Sequence, residues 1–338
     1  MKNVFSALLA ALMLVGILTG CTNQAEMPTV TAAPAGSQAE SAADEKIRIV
    51  TTIFPEYDWV REILGDKADS AEITMLLDKG VDLHSYQPTA DDLIKISDCD
   101  LFVYVGGESD EWVEDALKSA ANRDRKVINL LDVLGDSVKE EETVEGMQAE
   151  EEDHEDHEEK EYDEHVWLSL KNAKTLVGAI SESLQELDPD NKDTYAANAD
   201  AYVQKLSALD AEYQKAVSAG TYKTLLFGDR FPFRYLVDDY GLSYYAAFVG
   251  CSAESEASFE TVSFLARKVE ELKLPCVMTI EGKNHKIAET IVQNTAGKNQ
   301  KILTMDSMQS TTAQDVANGT TYLSLMEKNL DVLKEALG

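Results

Sequence analysis

His84, in "DKGVDLHSYQPT", follows the apolar run "AEITMLL", and His165, in "DEHVWLSL", runs straight into Val166 and Trp167. Carboxylates close three further apolar runs: Asp229, beside Arg230, after "LLFG"; Glu281 after "CVMTI"; and Asp306 after "KILTM". Two imidazoles with two or more carboxylates suit a borderline divalent ion such as zinc or manganese. Calcium or magnesium would call for oxygen donors alone. Taken singly, each residue has a plainer reading: a hydrogen-bonded loop histidine, a salt bridge from Asp229 to Arg230, a helix cap at Glu281. Only the combination points to a metal.

These side chains can meet only if the fold gathers the ends of their strands. From Ile47 onward, β-branched runs alternate with amphipathic helical stretches: "IRIVTTI" with "EYDWVREIL", "AEITMLL" with "TADDLIKIS", "DLFVYVGG" with "DEWVEDALKSA". The second half repeats the scheme from "KTLLFG" to a last helix ending at Leu337. Such alternation predicts βαβ units and parallel sheets. The expected fold is α/β, with an N-terminal lobe over 46–187 and a C-terminal lobe over 221–338. In open parallel sheets ligands bind beyond the carboxyl ends of the strands, which is where His84, Asp229, Glu281 and Asp306 fall. Lobes that face each other would bring them to one cleft with His165.

Residues 188–220 separate the lobes. Asp188 is placed to cap a helix with Pro189 at its first position. Tyr195, Tyr202, Leu206, Leu209, Tyr213 and Val217 fall on one face of it. A helix of about 30 residues would be about 45 Å long. A long rigid helix joining the lobes predicts limited relative motion.

The net charge of −32 disfavours nucleic acid and anionic lipid headgroups and favours cations. Residues 1–20 read as a secretion signal. The ending Leu18-Thr19-Gly20-Cys21 resembles a bacterial lipobox, which would put a lipid on Cys21 and tether the chain outside the cytoplasm. Residues 21–45, rich in Ala, Ser, Thr and Pro, read as a flexible stalk. Cys99, Cys251 and Cys276 form no CxxC pair and read mainly as small core residues.

Between Lys139 and Glu164 lie 15 of the chain's 62 acidic residues, two lysines, and His154 and His157. Such charge density predicts a mobile surface loop. His154 and His157 read as weak auxiliary zinc sites, or as incidental members of a solvated loop. His165, followed by apolar residues, reads as a fixed ligand.

The segments "GVDLHSYQPTADDLIKISDCDLFVYVGGESDEWVE" and "DEHVWLSLKNA" resemble the Gly-x-Asp-x-His and Asp-Pro-His-Val-Trp-Leu signatures of the zinc/manganese substrate-binding lipoproteins of ABC transporters, the metal-binding adhesin-like family. The resemblance runs from about Ile47 to the C-terminus. It implies two (β/α) lobes joined by a rigid helix, one Zn2+ or Mn2+ in the cleft, and a monomer that delivers the ion to a membrane permease driven by a cytoplasmic ATPase. It implies His84 and His165 as the N-lobe ligands. Where the family usually has His or Glu, five residues before the Tyr of "RFPFRYLVDDYGL", this chain has Arg230, which has no lone pair to give. Asp229 is then the candidate third ligand. "ILTMDS" matches the place of an Asp ligand in manganese-type members, which supports Asp306. Glu281 and His285 would complete the shell or support it from behind. Acidic, His-bearing loops typically accompany zinc-specific members.

Three functions compete on these residues. A receptor that captures Zn2+ needs deprotonated ligands, so its affinity should fall as pH drops through the range of His84 and His165. A metal-dependent hydrolase would need Glu281 as general base, and the chain carries no His-Glu-x-x-His, Gly-x-Ser-x-Gly or P-loop motif. A surface adhesin would use the acidic loop as a contact face. The receptor, not an enzyme, is the expectation, with manganese in place of zinc as its nearest alternative.

Overall fold

The computed structural model describes residues 46–148, 161–252, 256–282 and 284–338. The signal, the stalk, Cys21, His154 and His157 lie outside these residues. None of the described helices is long and apolar enough to cross a membrane.

The β-branched runs form strands where their spacing predicts them. In the first half these are β1 (Ile47–Thr51), β2 (Ala71–Met75), β3 (Leu101–Tyr104) and β4 (Lys126–Asn129), with α1 (Phe54–Leu64), α2 (Ala90–Asp98), α3 (Trp112–Lys118) and α4 (Leu130–Leu134) between and after them. All pairings are parallel, in the order β2-β1-β3-β4. The second half holds β5 (Thr224–Phe231), α7 (Arg234–Tyr240), β6 (Ser243–Val249), α8 (Phe259–Leu272), β7 (Cys276–Ile280), α9 (Lys286–Asn294), β8 (Lys301–Met305), α10 (Ala313–Ala317) and α11 (Tyr322–Leu337). Its sheet is again parallel, in the order β6-β5-β7-β8, so both lobes share one topology. In each, the order reverses beside the first strand, which opens a crevice at the carboxyl ends.

Between the sheets run α5 (Leu170–Leu187) and α6 (Lys192–Ala219). The six residues placed on one face of the long helix are all buried, and α6 packs against α1, α5 and α11. With 28 residues it is about 42 Å long. Its start differs from expectation. Pro189–Asn191 form a 3-10 turn with Asp188 at its N-cap position ahead of the α-helix, and the Asp188 carboxylate accepts from the Asn191 side-chain amide and the Tyr195 hydroxyl, each at 2.7 Å. Helix α5 is an addition, although Leu170, Ala173, Leu176, Val177, Ile180 and Leu184 carry the spacing of one buried helical face.

One apolar core runs through both lobes. Helix α11 belongs to the second half yet crosses to the first. Tyr322 meets Trp59 edge-on at 5.2 Å, its N–H donates to Asp58 at 2.9 Å and its hydroxyl donates to the Trp167 carbonyl at 2.7 Å. The Trp167 indole donates to the Ser307 carbonyl at 2.8 Å. These bonds restrain the lobes against opening.

Burial raises the Asp58 carboxyl from 3.8 to about 7, against the opposing hydrogen bond from Tyr322. A carboxyl whose folded pKa exceeds its unfolded one contributes stability that is full below about pH 4 and lost as pH rises through about 7. Metal-free protein should therefore melt at lower temperature at pH 8 than at pH 5. Asp58→Asn keeps an oxygen for Tyr322 and should remove about 1–4 kcal/mol of that decline, read by thermal unfolding across the pH series. Asp110, also raised to about 7 by burial, keeps part of the slope. An unchanged slope in the variant would place the proton on another group.

Candidate metal centre

The loop after β2 turns at Gly80 and enters a 3-10 turn, Leu83–Ser85, in which Asp82 accepts from the His84 N–H at 3.1 Å. This turn aims the half-buried His84 ring at the C-terminal lobe. His165 is fully buried at the entrance of a second 3-10 turn, Val166–Leu168. The apolar residues that follow it bury the turn and lock the ring.

Each imidazole is held by its Nδ1. His165 Nδ1 lies 3.0 Å from Asp163 Oδ1, which also accepts from the His165 backbone N–H at 2.9 Å. His84 Nδ1 lies 2.8 Å from Ser109 Oγ and 3.4 Å from Glu164 Oε2. Ser109, in the loop after β3, donates its own N–H to Glu164 at 2.9 Å. A carboxylate facing Nδ1 places the ring proton there and leaves the lone pair on Nε2. The two Nε2 atoms face each other at 3.2 Å.

Two lone pairs at that distance repel unless a cation lies between them. A tetrahedral zinc with bonds of about 2.0–2.1 Å sets its nitrogens about 3.3 Å apart. Burial, then the neighbouring His165, lowers His84 to about 3.

Cys251 enters from the other lobe, on the turn that follows β6. Its Sγ and the ligand nitrogens of His84 and His165 all lie within 4.8 Å of one another, the one such group of potential metal ligands among the described residues. Gly250 permits the approach. A Cβ there would lie 2.9 Å from His165 Cε1 and 2.9 Å from the Phe231 carbonyl oxygen. The Cys251 N–H donates to Glu141 at 3.3 Å. Burial pushes the thiol well up, and Asp163, Glu141 and Glu164 add to the shift.

Of the remaining residues named from the sequence, Glu281 and Asp306 directly follow β7 and β8, whereas Asp229 lies within β5 rather than beyond it, and each has other partners. Asp229 accepts from the backbone N–H groups of Arg230 at 3.0 Å and Ile280 at 3.3 Å. The Arg230 guanidinium pairs instead with Asp82 across the cleft. Glu281 receives both the N–H and the hydroxyl of Ser307, each at 2.7 Å. Asp306 accepts from the Met308 N–H at 2.8 Å, and burial, with Glu281 beside it, raises its carboxyl to about 6. His285 stands at the entrance of α9 with Nδ1 buried and without a hydrogen-bond partner. Asp229, Glu281, Asp306 and His285 thus stay outside the group formed by His84, His165 and Cys251.

Cys251 is the member of this group that the sequence reading did not name as a candidate ligand. Cys99 and Cys276 are buried in the core as expected, whereas Cys251 is only partly buried. The signal was present: "SYYAAFVG" is a strand, and the strand-end rule that picked out His84 and Asp306 applies to the residue after it.

The acidic segment also departs from the mobile loop expected of it, at both of its ends. Glu140 bridges Tyr162, the Asp163 N–H donates to the Lys139 carbonyl at 2.9 Å, and the Gln148 N–H donates to the Ala247 carbonyl at 3.0 Å. The Tyr235 hydroxyl accepts from the Lys139 N–H at 3.0 Å and donates to the Asp163 carbonyl at 2.8 Å. Arg234 meets Glu142 at 3.0 Å, and Val144 and Met147 pack on the core. Cations and apolar residues at the segment's ends offset the repulsion that its composition implies.

Residues 49–336 match the family described as zinc-uptake complex component A, periplasmic. The chain is similar to the zinc-binding lipoprotein AdcA of Streptococcus pneumoniae, 33% identical over 99% of this chain and 61% of that protein. It therefore spans about three fifths of that relative's length. It is also similar to the high-affinity zinc uptake system protein ZnuA of Bacillus subtilis, 32% identical over 90% of this chain and 93% of that one. Among solved structures, the Zn(II)-bound ZnuA-like domain of Streptococcus pneumoniae AdcA superposes with a TM-score of 0.67 at 31% identity, covering 87% of this chain and 99% of that domain. The metal-dependent lipoprotein YcdH of Bacillus subtilis gives 0.69 at 28%, covering 86% and 99%.

Proposed function

This chain belongs to the zinc-uptake complex component A family, and on that premise we propose that it is an extracytoplasmic receptor that captures Zn2+ and delivers it to an ABC permease driven by its ATPase. The observation that carries this reading is the facing pair of Nε2 atoms of His84 and His165, 3.2 Å apart, with Nδ1 of His165 held by Asp163 and Nδ1 of His84 by Ser109. Preorganised rings on a rigid scaffold favour a tight site. Relatives that bind or take up zinc support the choice of ion.

Binding rather than hydrolysis is the better account of the same residues. A hydrolase needs a free general base near the metal, and both oxygens of Glu281 accept from Ser307. In this reading Cys21 carries the lipid that tethers the receptor. His154 and His157 gather zinc weakly. Docking to the permease would release the ion by disturbing the acidic segment, whose ends bear Glu141 and Asp163.

Calorimetric titration tests the proposal. One Zn2+ should bind tightly per chain, and a variant lacking residues 149–160 should keep that affinity within about twofold, since weak auxiliary sites add local concentration rather than bonds. Tight binding that disappears with the segment would move the site out of the cleft.

A further inference from the structure

We propose that Cys251 is the ligand contributed by the C-terminal lobe, so that the cargo ion is held by two imidazoles and one thiolate and the site is selective for zinc over manganese. The inference rests on the reading of His84 and His165 as a zinc site and adds to it the third donor and the basis of discrimination. Three observations converge. Sγ of Cys251 shares a space of 4.8 Å with the ligand nitrogens of His84 and His165. Gly250 has no side chain where a Cβ would strike the His165 ring, so the backbone carrying the thiol can lie against that ring. The C-lobe carboxylates considered accept elsewhere, Asp229 from two backbone N–H groups, Glu281 from Ser307 and Asp306 from Met308, and these three and His285 all lie outside the group formed by His84, His165 and Cys251.

Arg230 closes the alternative of a ligand at its own position. Its guanidinium spans the cleft to Asp82, two residues before His84, and offers donors only. The pair joins the two lobes beside the site without supplying an electron pair to the metal. A thiolate then takes the ligand role from the neighbouring turn. A tetrahedral ion with sulfur at about 2.3 Å and nitrogen at about 2.0 Å needs S···N separations of about 3.6 Å, so the turn bearing Cys251 has at most about 1 Å to close. As the sulfur–zinc bond forms, the thiol proton leaves to solvent.

Thiolate is a soft donor. It favours Zn2+, with Cd2+ and Cu+ beside it, over Mn2+, which prefers carboxylate, carbonyl and water oxygen. Zinc choice is thereby written into one side chain rather than into the acidic segment.

Cobalt(II) in place of zinc provides the test. The wild-type protein should show an intense near-ultraviolet sulfur-to-cobalt charge-transfer band, and Cys251→Ser should lose it while Cys99 and Cys276 remain. The same variant should weaken Zn2+ binding by about tenfold or more and narrow the Zn2+/Mn2+ affinity ratio, and Cys251→Asp should narrow it further. Zinc X-ray absorption on the wild-type protein, which needs no variant, should show one sulfur neighbour at about 2.3 Å. A tight zinc site with no sulfur neighbour and no charge-transfer band would overturn the assignment of Cys251 while leaving the His84–His165 receptor standing. Tight zinc binding that survives His84→Ala would overturn both.

Discussion

His165→Ala should cost zinc affinity by about a thousandfold or more, near 4 kcal/mol, with the fold retained. The ring is wholly buried, its orientation is set twice by Asp163, and its Nε2 faces that of His84 at 3.2 Å. Removing it takes away one ligand and leaves the other without its counterpart. His84→Ala should act in the same direction, because Ser109 and Glu164 would then orient nothing. The expected size follows from the free energy a structured zinc site delivers, of which each ligand bond is a large share. Competition with a chromophoric chelator reads the loss directly, and circular dichroism checks that the fold persists. Near wild-type affinity in both single variants would exclude the imidazole pair as the site.

Trp167→Ala should destabilise the protein by about 3–5 kcal/mol. The indole is fully buried, packs 5.2 Å from the His165 ring and donates to the Ser307 carbonyl across the lobe boundary. Its truncation leaves a cavity beside the metal ligand and the Ser307 carbonyl without this donor. The Tyr322 hydroxyl bond to the residue 167 carbonyl would remain, so the lobes stay tethered at a second point. Denaturant titration should show a lower midpoint with unchanged slope. A loss under 1 kcal/mol would mean that the interlobe core tolerates the cavity by collapsing.

Most of the fold was legible because its elements are long, periodic and locally consistent. All eight strands coincide with the apolar runs read as strands, and the face of α6 from Tyr195 to Val217 could be read residue by residue. Spacing did not show that α11 crosses to pack on Trp59, because that contact joins segments 263 residues apart, and no local pattern encodes such a pairing. At the site, His84 and His165, both named from the sequence, come together with facing Nε2 atoms. Their C-lobe neighbour was not named. Carboxylates near strand ends look alike in sequence, and Asp229, Glu281 and Asp306 accept from backbone N–H groups outside the group of His84, His165 and Cys251. Cys251 was passed over because an unpaired cysteine is usually a small core residue. The acidic segment misled in another way. Its average charge predicted a free loop, but Arg234, Tyr235 and the apolar Val144 and Met147 seat its ends on the C-terminal lobe.

The measurement that tests the central claim most directly is anomalous diffraction at the zinc edge from crystals of the zinc-loaded protein. A single strong peak about 2.0–2.1 Å from Nε2 of both His84 and His165 is the predicted result. A principal peak on residues 149–160, or on Asp229 and Asp306 with the two imidazoles still facing each other unliganded, would contradict it.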